Sequence, residues 1–154
     1  MKILAIIQAR TSSSRLPDKI LKPILGKPML IHQIERVQLS KMIDHLVIAT
    51  SKETSDNQLV NLLKSSGIEY YRGSLKDVLD RFFQTASIYS PDHIVRLTGD
   101  SPVIDFEIID KVIELHLDKC FDYTSNAPGS DATFPDGLDV EVIRFDILKE
   151  VWEK

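Results

Sequence analysis

Short β-branched runs alternate with segments of helical spacing along nearly the whole chain: "ILAIIQA", "MLIHQIERVQL", "HLVIAT", "DNQLVNLLKSSG", "IEYY", "KDVLDRFFQTA", "HIVRLT" and "FEIIDKVIELHL". A period of two giving way to a period near 3.6, again and again, reads as strand and helix in turn. Repeated strand–helix–strand units leave few ways to close a core, because right-handed crossovers stack the helices over both faces of a mostly parallel sheet. The predicted fold class is therefore a three-layer α/β/α domain. In the third helical segment Val78, Leu79, Phe82, Phe83 and Ala86 form one broad apolar face that must pack on the sheet. Local punctuation agrees. Pro28 suits a first helical turn, Ser55 and Ser74 suit helix caps, and Gly67 suits a left-handed helix end.

The chain has 154 residues and 43% hydrophobic content, enough for one domain with a real core over residues 1–154. Its formal net charge is -4, which argues against nucleic acid or an anionic membrane surface as the main partner, since both reward a surplus of Lys and Arg. Cys120 is the only cysteine, so no intrachain disulfide is expected, and His32, His45, His93 and His116 are too scattered in sequence to suggest a zinc site. With no membrane span and no secretory cleavage site after Met1-Lys2, a reducing cytoplasm is the expected compartment.

In sheets of this kind ligands bind in the crevice at the carboxyl ends of the strands. The loops there carry the candidate chemistry. After the first strand, "ARTSSSRLPDK" places Arg10, Arg15 and Lys19 among Ser12, Ser13 and Ser14, although no Walker A or G-x-G-x-x-G motif is present. Several charge-assisted donors at once suit a polyphosphate; the alternative is a solvated basic loop. In "RLTGDSPVID", Asp100 follows a strand and can hold Mg²⁺, whereas Asp105 is better placed to cap the helix opening at "FEIID". In "FPDGLDVEVI", Asp136-Gly137 reads as a turn, and Asp139 and Glu141 lie two apart on an expected strand. Those two carboxylates could assist a metal, accept from sugar hydroxyls, or form the wet side of an edge strand.

The segment "IIQARTSSSRLPDKILKPILGKPML" resembles the A-R-x-x-S-x-R-L-P-x-K signature that opens the CMP-sugar synthetase family of cytidylyltransferases. "VIATS", "YYRGSLKDVLDRF", "IVRLTGDSPVID" and "PDGLDVEV" follow in the order of its spore coat polysaccharide biosynthesis branch, the SpsF-like proteins. The resemblance covers nearly the whole chain.

It implies a nucleotide-diphospho-sugar transferase fold, Rossmann-like, and transfer of CMP from CTP to a sugar or sugar acid with release of pyrophosphate. Position by position it assigns Arg10, Arg15 and Lys19 to the phosphates, with Ala9 and Ser13 in the same signature. It assigns Ala49, Thr50, Ser51, Arg72, Gly73 and Ser74 to the base and ribose. Asp100 becomes the Mg²⁺ ligand, and Asp136, Asp139 and Glu141 fall on the acceptor side or near a second metal. A homodimer is left open. Two departures are expected to matter: Asp18 stands where the signature more often has Gly, and family members usually continue well beyond "FDILKEVWEK", so the domain is expected to be shortened at its C-terminus. A nucleotide-sugar-dependent glycosyltransferase and a non-catalytic nucleotide-binding module are the alternatives.

Overall fold

The structure, a computed structural model, describes residues 1–12, 16–127 and 134–154. Its centre is a six-stranded sheet built from β1 (Ile3–Gln8), β4 (His45–Ser51), β5 (Tyr70–Gly73), β6 (His93–Thr98), β7 (Tyr123–Ser125) and β8 (Glu141–Arg144), in the order β5-β4-β1-β6-β8-β7. The first four of these run parallel. The returning strand β8 pairs antiparallel with both β6 and β7. The mostly parallel three-layer architecture read from the sequence is the one observed.

Why β1 is central follows from its composition. Ile3, Ala5 and Ile7 point into one core and Leu4 and Ile6 into the other, so an unbroken apolar run is buried on both faces. One face is covered by α1 (Met29–Val37), α2 (Asn57–Ser65) and α4 (Phe106–Asp118), through residues such as Leu30, Ile34, Leu59, Leu63, Ile109 and Ile113. The other is covered by α3 (Val78–Tyr89) and α5 (Phe145–Glu153), through Phe82, Phe83, Ala86 and Leu148. Between β1 and α1 a short hairpin of β2 (Pro23–Ile24) and β3 (Lys27–Pro28) turns at Leu25 and Gly26, both with positive φ.

Local expectations divide. Pro28 immediately precedes α1, Gly67 ends α2 at φ +66°, and the Asp105 carboxylate caps α4 by accepting from Glu107 N–H at 2.8 Å. Ser55 does not cap α2: it sits in the 3-10 turn Thr54–Asp56, and Asp56 occupies the cap position with its carboxylate turned inward. Nor does Ser74 cap α3. Its hydroxyl accepts from Asp77 N–H, and Asp77 is the cap, accepting from Asp80 N–H at 2.8 Å. The apolar face of α3 is buried from Phe82 onward, but Val78 and Leu79 remain 42% and 38% exposed. In that first turn Val78 lines a cleft instead of the core.

Two histidines that are far apart in sequence meet in space. His93 Nδ1 lies 3.0 Å from His116 Nε2, and His116 Nδ1 lies 2.9 Å from Thr124 Oγ1, so β6, α4 and β7 share one hydrogen-bonded chain. Among the described residues no group of three His, Cys, Asp or Glu side chains is arranged to hold a metal by itself, and no helix is long and apolar enough to cross a membrane.

Candidate active site

The strands β1 and β6 end side by side, and their loops diverge from a point of very close backbone approach. Gly99 N–H donates to Gln8 O at 2.8 Å, and a Cβ at position 99 would fall 2.8 Å from both that oxygen and the Ala9 Cβ. Only glycine lets the two strand ends come this near. Gln33, buried on α1, then fixes the start of the second loop: its amide nitrogen donates to Thr98 O at 2.7 Å and its oxygen accepts from Ser101 N–H at 3.3 Å. Asp100 is thereby held at the rim.

The first loop is anchored from below by Asp56. Its Oδ1 accepts from Thr11 N–H and Thr11 Oγ1, each at 2.8 Å, while Oδ2 accepts from the N–H and hydroxyl of Ser51. Burial opposes ionisation here, but these donors outweigh it and hold the carboxyl below its ordinary range. Asp18 N–H closes the loop onto Thr11 O at 3.1 Å, with Asp18 itself left-handed at φ +56°. A left-handed position is one that Gly occupies freely and Asp tolerates better than most residues, which reconciles Asp18 with the glycine common in the signature.

Between these loops and the first turn of α3 lies a cleft of about 440 Å³. Arg10, Lys19, Arg81 and Arg96 line it, and among the described residues Asp100 is the carboxylate in its lining. In a chain of formal net charge -4 that concentration of cations marks a site for an anion. Lys19 Nζ donates to Asp100 Oδ2 at 2.9 Å. Burial works against the Asp100 charge, yet the hydrogen bond and charge of Lys19, with help from Thr98, hold its carboxyl below the ordinary range.

The predicted residues fall into three groups. Ala9, Arg10, Lys19 and Asp100 converge on the cleft. Ser13 and Arg15 lie outside the described residues, as does Ser14. Ala49, Thr50 and Ser51 are fully buried and Thr50 Oγ1 has no partner, so they support the cleft from within rather than line it. Arg72 braces the same region, donating through Nε to Ser51 O and through Nη2 to Glu53 O, each at 2.8 Å. Gly73 provides the flat seat for the stem of Arg81.

The two carboxylates expected to share a strand face, Asp139 and Glu141, have different fates. Glu141 opens β8 and is engaged by Arg96 Nη1 and by Tyr123 Oη at 3.0 Å, so it is an ion-pair partner rather than a free ligand. Asp139 precedes the strand, outside any element, and its Oδ1 is buried without a partner. Burial, then Asp136, Glu141 and Asp100, push its carboxyl above the ordinary range. Asp136 itself is exposed in the turn before Gly137.

Sequence reasoning missed Arg81, Arg96, Gln8 and Asp56. Two of them left a signal. Arg81 interrupts the apolar face of α3, and Arg96 interrupts the apolar run of β6, the strand that leads into Asp100. Gln8 Oε1 accepts from Arg96 Nε at 2.9 Å, a contact between neighbouring strands that no spacing along the chain reveals.

Comparison with known proteins gives a consistent answer. The sequence model of the family described as "Cytidylyltransferase" matches residues 4–153. The spore coat polysaccharide biosynthesis protein SpsF of Bacillus subtilis is 43% identical over 132 residues, covering 82% of this chain and 55% of SpsF. The 3-deoxy-manno-octulosonate cytidylyltransferase of Geobacter metallireducens is 34% identical over 115 residues, covering 73% of this chain and 44% of that protein. Among solved structures, a cytidylyltransferase from Leptospira borgpetersenii serovar Hardjo-bovis superposes with a TM-score of 0.92 at 34% identity, covering 99% of this chain and 64% of that one. This chain thus spans about half the length of the two curated relatives.

Proposed function

The chain belongs to the cytidylyltransferase family, and we propose that it carries the nucleotide-handling part of an enzyme that transfers CMP from CTP to a sugar or sugar-acid hydroxyl, releasing pyrophosphate, for polysaccharide biosynthesis. The observation that carries this reading is the cleft at the carboxyl edge of the sheet, where, among the described lining residues, Arg10, Lys19, Arg81 and Arg96 outnumber the one carboxylate, Asp100, in an acidic protein.

In-line attack of an acceptor hydroxyl on the α-phosphorus builds negative charge on the phosphate oxygens and on the departing pyrophosphate. Arg10 and Lys19, fixed before the reaction by the loop closure onto Asp56 and by the Asp100 contact, stabilise that charge without reorganising. The sheet order supports this division of the ligand. On this reading the base would sit beside β4 and β5, the triphosphate on the loop after the central β1, and the acceptor on the β6 and β8 side near Arg96, Glu141 and Asp139.

Asp100 at the cleft and the neighbouring Asp139 fit Mg²⁺. Asp139 has an orphaned buried oxygen and a carboxyl raised partly by the nearby Asp100, an arrangement that a dication would relieve. With no third protein ligand grouped there among the described residues, a cation held by Asp100 and Asp139 would take its remaining oxygens from phosphate and water, the pattern Mg²⁺ favours. Bound there, it would neutralise charge on the triphosphate.

The test is incubation of the protein with CTP, UTP, ATP or GTP and a panel of sugars and sugar acids, following pyrophosphate. Pyrophosphate released with CTP and one acceptor class is the expected result. Release of nucleoside diphosphate from a nucleotide-sugar would indicate a glycosyltransferase, and CTP binding without turnover would indicate a binding module.

A further inference from the structure

Arg81 is 5% exposed, yet it reaches the wall of the cleft occupied by Arg10, Lys19 and Asp100. Its stem is clamped on Gly73, where a Cβ would fall 2.6 Å from Arg81 Cγ and 2.9 Å from Arg81 Cβ. Nη1 donates to Ser74 O at 2.5 Å. Nε is buried and has no partner, and among the described residues no other group accepts from this guanidinium. A guanidinium offers five N–H donors and carries its charge at any accessible pH, so leaving it buried and mostly unpaired is costly.

The neighbouring charges sharpen the problem. Asp56 is close enough to favour the cation, but both its oxygens already accept from Thr11 and Ser51, so it supplies charge and no hydrogen bond. Arg10, which lines the same cleft, repels it. Two cations lining one cleft, one of them buried with free donors, form half of an ionic site.

From this geometry we propose that Arg81 is a phosphate-binding residue, acting with Arg10 to grip a phosphoryl group of the nucleotide from the α3 side of the cleft, opposite Lys19. A carbonyl of the base would satisfy the free N–H groups and leave the repulsion between the two arginines in place. A phosphoryl group does both, since its oxygens accept and its charge turns the repulsion into attraction. The inference rests on the nucleotide reading given above and adds to it a residue outside the signature loop, on a different element. It also gives Gly73 a purpose: any larger residue there would push the guanidinium away from the cleft.

The test compares Arg81→Gln and Arg81→Lys with the parent for binding of CTP, cytidine and inorganic tripolyphosphate, with melting curves recorded for each. Loss of a charge-assisted hydrogen bond predicts roughly 10- to 100-fold weaker binding of CTP and of tripolyphosphate to the Gln variant. Cytidine binding should be unchanged, and the Lys variant should fall between. Because the Gln variant places a neutral group in a buried position and can lose stability, a second measurement uses the parent protein. The Arg81 Nε–H resonance, identified by its absence in the Lys variant, should move downfield with CTP or tripolyphosphate and stay still with cytidine. Equal CTP affinity in parent and variants, an equal loss for cytidine and CTP, or an Nε–H that ignores tripolyphosphate would each overturn the role of Arg81 while leaving the nucleotide reading intact. A parent protein that binds neither CTP nor tripolyphosphate would overturn both.

Discussion

Replacing Asp56 by Asn should expose how much of the loop after β1 depends on one buried carboxylate. Asp56 is 0% exposed and receives N–H and O–H donors from both Thr11 and Ser51. The amide can keep the Thr11 pair on its oxygen. Its NH₂ then faces Ser51 N–H, so one charge-assisted bond is lost and one buried donor is orphaned, and together these should cost about 3–5 kcal/mol. For a chain of this size that corresponds to a fall of roughly 6–20 °C in Tm. Acid dependence gives the second readout. The folded carboxyl titrates below its ordinary value of 3.8, so its stabilisation is present above that value and is lost as pH falls through the lower folded one. Urea unfolding of parent and variant should show the full difference at pH 7 and a shrinking difference below about pH 4. A loss under about 1 kcal/mol at pH 7, or a gap that persists undiminished into acid, would refute the reasoning.

Three further outcomes are expected. Lys19→Ala should weaken CTP binding on the order of tenfold or more and raise the Asp100 carboxyl, because the hydrogen bond and charge that hold it down are gone; calorimetry and an NMR titration of Asp100 check the two halves. Asp100→Asn should keep the fold and much of the nucleotide affinity while abolishing Mg²⁺-dependent pyrophosphate release; turnover at the parent rate would move the metal to Asp139 or elsewhere. His116 and His93 both titrate below the ordinary 6.5, each lowered first by burial, so the unfolded chain binds more protons below that pH and stability falls as pH drops through 6.5. His116→Gln should flatten that part of the stability profile, and an unaltered profile in urea titrations would show that the histidine chain contributes nothing.

The alternation of apolar periods determined the layered architecture, because burial on both faces of β1 and on one face of each helix is written residue by residue and needs no long-range information. Motif order likewise singled out Arg10, Lys19 and Asp100, which the fold gathers at one cleft. What the chain could not show is which partner each polar group finds. Asp139 and Glu141 look equivalent two residues apart, yet β8 starts at Glu141 and pairs it with Arg96 of β6, leaving Asp139 outside the ladder with an oxygen unpaired. Asp56 and Thr11 are 45 positions apart and meet only because β1 and β4 are neighbours in the sheet. Arg81 reads as a flaw in an amphipathic helix until the parallel pairing of β5 with β4 brings Gly73 beneath it and the end of β1 brings Arg10 to the same cleft. Apolar burial is additive and local enough to be read along a sequence, whereas a charge takes its meaning from whatever stands within a few ångströms of it, and tertiary structure alone decides that.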